Sequence, residues 1–323
     1  MRWRNLQITA YYVFMVSLLY SASTCGAAPG DTSHTKPSMN EFTVIAYLPE
    51  YRFATLDTAA LSYLTDLILF SIEPKSNGEL DTARIPSEVL ARVNQLRTGH
   101  HLRILVALGG ADRSNGFASM ATNSQTRTHF IQELLRFCTA NHLDGIDFDW
   151  EHPTNKLEEE AYAALLQETK QQFQAHNLLV TVALADWQHL SAEAYRAVDR
   201  VHLMAYDHEG QHSTFTQAAA DVQKMLKQGV PRAKLCLGVP FYGRSIKNSD
   251  QSLTYAEIVQ QYHPLPNSDE VADIYFNGIQ TMQQKTRYAQ EQHLGGVMIW
   301  ELGQDTHDQT SLLRAIHQTV IGK

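Results

Sequence analysis

The feature that most constrains the fold of this chain is a regular alternation of short apolar runs with longer amphipathic stretches. Eight runs rich in Val, Ile and Leu are predicted to be strands, at 43–47, 66–72, 103–108, 145–151, 179–185, 200–206, 234–241 and 296–301. Helical periodicity is found between or after them at 86–97, 124–141, 157–175, 214–228, 279–292 and 309–320. Strands that are apolar almost throughout are typical of a parallel sheet covered by helices.

Eight strand–helix units in succession predict a single α/β domain, a (β/α)8 TIM barrel. Such a barrel usually takes about 250 residues, which agrees with a domain at 42–323 of this 323-residue chain. The segment 245–277 interrupts the pattern after the seventh strand. We interpret it as an extended loop, so a barrel without a large α+β insertion is expected.

The first 28 residues are predicted to be a signal peptide that is not part of the fold. Arg2 and Arg4 precede an apolar run at 8–20, and small residues follow. This run is shorter than the roughly 20 residues that a membrane span needs, so no transmembrane segment is expected. The polar segment 29–41 is interpreted as a flexible leader. We therefore expect an exported protein, either secreted or periplasmic.

Two alternatives to this account of the leader remain open. The apolar run can instead be a buried first helix. Cys25 follows Ser23 and Thr24 in a pattern that loosely resembles a lipoprotein processing site, so a lipid anchor is the alternative to simple cleavage near Ala27.

Composition excludes several other classes of protein. A net charge of −8 argues against nucleic-acid binding through bulk charge, and three cysteines are too few for a disulfide scaffold. Cys138 and Cys236 are predicted to be buried thiols. Neither a metal nor an organic cofactor is expected, and we expect a monomer.

The strongest functional signal is a row of carboxylates on the fourth predicted strand. Asp147, Asp149 and Glu151 are spaced by two residues, so all three side chains lie on one face of the strand. Active sites of TIM barrels lie at the C-terminal ends of the strands. Burial and like charge raise carboxyl pKa values, and a protonated carboxyl can serve as a general acid. A metal site is the weaker interpretation, because magnesium and calcium usually take ligands from several loops.

Together with Asp144, these residues form the pattern Asp-x-x-Asp-x-Asp-x-Glu. This pattern resembles the signature of glycoside hydrolase family 18, the chitinases. The resemblance extends over nearly the whole predicted mature chain, through the segments 44–47, 204–207, 238–244 and 295–301.

The resemblance implies a retaining reaction in which the substrate supplies the nucleophile. The 2-acetamido oxygen of the sugar would attack C1 and form an oxazolinium ion. Glu151 would protonate the leaving oxygen and then activate water. Asp149 would hold the acetamido N–H, Asp147 would share a proton with Asp149, and Tyr206 would hydrogen-bond the acetamido group. Asp144 is expected to be structural.

The same resemblance implies a set of substrate-binding residues. Trp300 would lie under the reacting sugar, because an aromatic face stacks on the apolar face of a pyranose. Met204 and Phe70 would wall the acetamido pocket, and Tyr47 would hydrogen-bond the inner aspartate. The residues expected to bind sugar hydroxyls, or else to form rim ion pairs or caps, are Asp207, Tyr242 and Arg244.

Two further positions carry weaker expectations. Asp186 and Trp187, at the end of the fifth strand, are candidates for an additional subsite. The third strand ends with Ala107 where the family usually has a serine that would hydrogen-bond the inner aspartate. Asp147 is therefore expected to depend more on Tyr47, with a shifted pH optimum.

The favoured hypothesis is a secreted chitinase-like enzyme that hydrolyses chitin or N-acetylglucosamine oligosaccharides at β-1,4 linkages. The alternatives are an endo-β-N-acetylglucosaminidase acting on N-glycans, a peptidoglycan hydrolase, and a chitooligosaccharide-binding lectin. The short segment between strands seven and eight predicts an open groove and cleavage within chains.

Overall fold

A computed structural model describes residues 41–97 and 100–322. Within this part of the chain, eight parallel strands form a closed barrel. They are β1 Thr43–Pro49, β2 Asp66–Pro74, β3 Arg103–Gly109, β4 Gly145–Asp149, β5 Leu179–Ala185, β6 Arg200–Met204, β7 Leu235–Pro240 and β8 Gly296–Trp300. Consecutive strands pair in parallel, and β1 closes the ring by pairing with both β2 and β8. The predicted (β/α)8 barrel is confirmed.

Helices surround the barrel and cover its outer face. They are α1 Ser87–Arg97, α2 Phe117–Thr122, α3 Ser124–Ala140, α4 Lys156–Phe173, α5 Ala192–Ala197, α6 Phe215–Lys227, α7 Tyr255–Tyr262, α8 Ile279–Glu291 and α9 Leu312–Val320. Short 3-10 turns lie at Glu50–Thr55, Thr58–Tyr63, Gln174–His176, Arg232–Lys234 and Leu302–Gln304. The sequence did not predict α2, α5 or α7, because helices of six to eight residues show too little periodicity.

The fourth strand is shorter than predicted. The strand ladder ends at Asp149, because the next backbone groups bond to side chains instead of a neighbouring strand. The N–H of Glu151 donates to Ser114 Oγ at 3.0 Å, and Gln188 donates to the carbonyl of Trp150 at 3.3 Å. Glu151 consequently stands just beyond the strand, at the barrel mouth.

The prediction that 245–277 is an extended loop was wrong in its detail. Four short strands form a separate antiparallel sheet there, at Tyr242–Ser245, Ser252–Thr254, Glu270–Val271 and Ile274–Tyr275. Thr254 and Glu257 form a capping box that starts α7 beside this sheet. Strands of two to four residues are too short to show a period of two. The insertion is nevertheless small, as expected.

Apolar residues fill the barrel interior and the layer between barrel and helices. Near the N-terminal ends of the strands, the buried Asp66 binds Arg103 at 2.7 Å and Arg200 at 3.0 Å. Cys138 and Cys236 are buried free thiols, as predicted. The barrel is therefore closed by packing at this end, and only its C-terminal mouth can hold a site.

The predicted signal peptide at 1–28, including Cys25, lies outside the described residues, as does the predicted leader except for Glu41. Among residues 41–97 and 100–322, no helix has the length and apolar character that would carry it across a membrane.

Candidate active site

The three predicted carboxylates rise in order from the barrel interior to its mouth. Asp147 and Asp149 belong to β4 and are buried, with exposed fractions of 0% and 3%. Glu151 follows the strand, and its side chain is 24% exposed. Asp144 lies outside this row, where it accepts a hydrogen bond from the N–H of Ile104 at 2.9 Å, a structural contact.

A pocket of about 300 Å³ opens above β4 at the mouth of the barrel. Its lining contains Tyr47, Tyr51, Phe70, Ala111, Arg113, Asp149, Glu151, Ala183, Met204, Tyr206, Asp207, Met298 and Trp300. Most of the residues that the sequence singled out therefore meet in one cavity. Asp147 lies beneath it, and Tyr242 and Arg244 lie at its rim as partners of Asp207.

Asp147 is held by donors from three other strands. Tyr47 donates to Oδ2 at 2.5 Å, as the sequence predicted. Thr181 donates to Oδ1 at 2.5 Å, and His202 Nδ1 lies 3.0 Å from the same oxygen. Ala107 faces Asp147 in the strand register and supplies no donor. Both oxygens of Asp147 are thus placed beside possible hydrogen-bond donors, which fixes the orientation of this side chain.

Thr181 and His202 were missed by the sequence analysis. Both are polar residues inside otherwise apolar strands, and that exception was the signal that could have found them.

Asp149 has the opposite environment. Its Oδ1 is buried and has no hydrogen-bond partner among the described residues. Burial raises the pKa of Asp149 well above its usual value, and the charges of Glu151 and Asp147 raise it further. Asp149 lines the pocket, so a ligand there would meet a carboxyl group that keeps its proton more readily than usual.

Glu151 has the properties of a general acid. Partial burial raises its pKa, and the nearby charge of Asp207 adds to this effect. A raised carboxyl pKa keeps the proton available at the pH where many glycosidases work.

Aromatic and sulfur-containing side chains form the pocket floor. The rings of Trp300 and Phe70 meet edge to face with centroids 4.7 Å apart, and Tyr47 lies 5.6 Å from Trp300. Tyr206 points its hydroxyl at the Met298 sulfur, 3.9 Å away. A thioether is a weak acceptor, so this hydroxyl is available to a ligand.

Asp207 organises the rim of the pocket. It accepts a hydrogen bond from Tyr242 at 2.6 Å and pairs with Arg244 at 2.7 Å. Burial works to raise its pKa, but hydrogen bonds from His212 and Tyr242 and the Arg244 charge hold that pKa below its usual value. Asp207 is therefore a fixed negative charge facing Glu151.

The pocket also contains residues that the sequence analysis did not predict: Tyr51, Ala111, Arg113, Ala183 and Met298. Arg113 binds Glu50 at 2.7 Å and lies over the Phe70 ring, 5.1 Å from its centroid. It stands in the loop after β3, so the rule that polar residues after barrel strands are functional candidates could have found it.

The two weaker candidates behave differently. Asp186 pairs with Lys224 at 2.6 Å and is absent from the pocket lining. Trp187 is 57% exposed, and its ring meets His152, the residue after Glu151, with centroids 4.5 Å apart. Only Trp187 is thus available to a ligand beside the acid.

A parallel eight-stranded barrel with an acid of raised pKa above two buried aspartates is typical of a TIM-barrel glycoside hydrolase. A sequence model of the family described as "Glycosyl hydrolases family 18" matches residues 43–305. The chain belongs to this family.

Relatives agree with that assignment. Chitinase 1 of Aphanocladium album is 25% identical over 280 residues, covering 69% of this chain and 66% of that protein. Chitotriosidase-1 of Mus musculus is 25% identical over 309 residues, covering 74% and 66%. The chain thus spans just under two thirds of these proteins. The crystal structure of the GH18 chitinase ChiB of Flavobacterium johnsoniae superposes with a TM-score of 0.78 at 30% identity, covering 87% of this chain and 94% of that one.

Proposed function

We propose that this chain hydrolyses β-1,4-linked N-acetylglucosamine chains by a retaining, substrate-assisted mechanism in which Glu151 is the acid and base. The observation that carries the proposal is the graded environment of the three carboxyl groups. The pKa values of Glu151, at the mouth, and of the buried Asp149 are both raised, whereas Asp147 accepts a hydrogen bond from Tyr47 at 2.5 Å. The chitinase names of the relatives support the substrate class.

The first step follows from these positions. Glu151 donates its proton to the glycosidic oxygen while the bond from C1 to that oxygen breaks. The other carboxylates of the lining are unsuited to attack C1, because Asp149 carries a proton and Asp207 is bound by Arg244. The acetamido oxygen of the same sugar therefore attacks C1 and forms the oxazolinium ion.

Two side chains guide that attack. The free oxygen of Asp149 accepts the acetamido N–H and stabilises the developing positive charge. Tyr206 donates its hydroxyl to the acetamido group, exchanging a weak sulfur acceptor for an oxygen. Trp300 supports the apolar face of the sugar. Glu151, now a carboxylate, takes a proton from the water that attacks C1, and the product keeps the β configuration.

The test is hydrolysis of the N-acetylglucosamine hexamer by the protein and by Glu151→Gln. Product lengths are followed by mass spectrometry and the first-formed anomer by NMR. We expect β-anomeric products from the wild type and a loss of at least about 100-fold in kcat for the variant. The matched control is Glu160→Gln, which changes a side chain that is 64% exposed on α4.

Other outcomes would replace the proposal. Initial α-anomer would exclude the retaining mechanism. Hexamer binding without cleavage by the wild type would identify a lectin. Absence of both, with cleavage of an N-glycan or of peptidoglycan, would change the substrate class.

We also propose that the protein is exported and acts as a monomer. The basic and apolar leader of the sequence supports export. N-terminal sequencing of protein recovered outside the cytoplasm tests cleavage near Ala27 against lipid attachment at Cys25.

A further inference from the structure

His202 is a buried titratable residue to which the proposed mechanism assigns no role. It lies on β6 with an exposed fraction of 0% and points into the barrel beneath the pocket. We propose that His202 is a positioning residue for the reaction: its Nδ1–H binds Asp147 and holds that side chain in place beneath the pocket. This inference rests on the proposed function of the Glu151 site.

The hydrogen-bond geometry indicates which nitrogen of His202 carries the proton. Nδ1 lies 3.0 Å from Asp147 Oδ1 and 3.1 Å from the Tyr47 hydroxyl oxygen. Tyr47 has one hydroxyl proton, and it is used in the 2.5 Å bond to Asp147 Oδ2. Both oxygens that face Nδ1 are therefore acceptors, so Nδ1 must be a donor.

Among the titratable groups that face His202, Asp147 is the acidic group that its ring contacts. Tyr47 faces it from β1, and burial raises the pKa of this hydroxyl well above its usual value. Cys236 faces it from β7, and burial raises the pKa of that thiol to about 11. Both remain neutral near neutral pH. On β5 the residue in register is the uncharged Ala183.

The other charged residue of β6 lies at the N-terminal end of that strand. It is Arg200, which is bound to Asp66 at 3.0 Å, and Asp66 also binds Arg103 at 2.7 Å. Nε2 of His202 has no hydrogen-bond partner among the described residues. The polar contacts found for this ring are therefore confined to Nδ1, as a role in positioning Asp147 requires.

The consequence reaches the reacting pocket through Asp149. The negative charge of Asp147 helps to keep the proton on Asp149 in the resting site. Ala107 offers no donor on the β3 side, so Thr181 and His202 supply the bonds to Oδ1. Without His202, Asp147 Oδ1 would lose a donor, and a carboxylate with fewer hydrogen-bond donors is less stabilised.

The test compares His202→Leu, which removes the donor, with His202→Asn, whose amide keeps an N–H. For His202→Leu we expect kcat to fall roughly 10- to 100-fold with little change in KM, and its acidic limb to move to higher pH. His202→Asn should recover most of the rate. The control is Cys236→Ala, an equally buried change on β7 that should leave the pH profile unchanged. Thermal unfolding of each variant measures damage to the fold.

An unshifted acidic limb with kcat within about twofold of wild type for a folded His202→Leu would overturn the proposal. If that variant does not fold, NMR of wild-type protein with ¹⁵N-labelled histidine decides, with His202→Asn used to assign the signal. We expect Nδ1 to be protonated, and a bare Nδ1 would overturn the inference. This measurement needs no turnover. A wild type without hydrolase activity would refute the proposed function and leave the tautomer result independent.

Discussion

Single residues in this site act through the charges of their neighbours. Partial burial raises the pKa of Glu151, and the rim charge of Asp207 further favours its protonated form. Asp207 is itself held ionised by Tyr242 and Arg244, at 2.6 and 2.7 Å. The rim residue Asp207 therefore raises the pKa of Glu151 without contacting the bond that breaks.

Asp207→Asn tests this effect. The substitution removes a negative charge, so the pKa of Glu151 falls. Because Glu151 must be protonated for the first step, its activity is lost as the pH rises through that pKa. We expect the basic limb of kcat/KM to move to lower pH, measured on the hexamer. Asp186→Asn, at a carboxylate paired with Lys224, should leave the limb in place.

A second expectation at this scale concerns Tyr206. Its hydroxyl has only the Met298 sulfur as a partner among the described residues, so removing it costs the fold little. Tyr206→Phe should lower kcat by roughly 10- to 100-fold, because a hydrogen bond to the acetamido group is lost in the transition state. An unchanged thermal midpoint with a lowered kcat would establish that the Tyr206 hydroxyl contributes to the reaction and not to the stability of the fold. A kcat equal to that of the wild type would exclude Tyr206 from the reaction.

At the scale of elements, a buried lysine joins α8 to the loop after β6. Lys285 donates to the carbonyl and hydroxyl oxygens of Ser213 at 2.8 and 2.7 Å, and to Asn277 Oδ1 at 2.7 Å. Burial lowers the pKa of Lys285 to about 7. No local pattern in the sequence indicates that Asn277 meets a loop some 64 residues away.

Lys285→Met should destabilise the protein by roughly 1–3 kcal/mol, because Ser213 and Asn277 lose their donor. The unfolded lysine has a pKa of about 10.4, so between about pH 7 and that value the unfolded state binds more protons. The lysine's contribution to stability therefore rises with pH above about 7. Urea unfolding at pH 7 and pH 9 should show a larger wild-type advantage at pH 9. A wild-type advantage in stability that becomes smaller from pH 7 to pH 9 would contradict the lowered pKa of Lys285.

For the whole molecule, the sequence predicts what depends on local pattern. The eight strands were recognisable because burial on both faces requires apolar runs, and the three acids were recognisable because a period of two places them on one face. Thr181 and His202 were not recognised as partners of Asp147. Their meeting depends on closure of the barrel, which brings together residues 34 and more positions apart. The strands of the small insertion were not predicted because they are too short to show a period of two.

The exposed rings around the mouth lead to an expectation about the whole substrate. Tyr51 follows β1 and Trp187 follows β5, on opposite sides of the closed barrel, and they are 58% and 57% exposed. An aromatic face binds the apolar face of a sugar, so a chain crossing the mouth can contact both. Trp187 lies beside His152, the residue after Glu151, with ring centroids 4.5 Å apart.

Trp187→Ala should therefore weaken binding of the leaving-group side and change the product lengths from the hexamer, with a KM raised by roughly 5- to 20-fold. Early products are separated by mass spectrometry. The control is Ile321→Ala, an exposed apolar residue after α9. Unchanged product lengths would place the chain elsewhere.

All three acids lie at positions 147–151, on one strand and just beyond its end, and this has a consequence for how such a protein can change. The reacting groups and the buried donors beneath them form a unit inside the barrel, whereas Tyr51, Arg113 and Trp187 stand on loops that follow other strands. Natural variation in those loops can alter which polymer is held while the proton chemistry is inherited intact. Selection must therefore preserve the residues inside the barrel, whereas it can change the residues on the loops around its mouth.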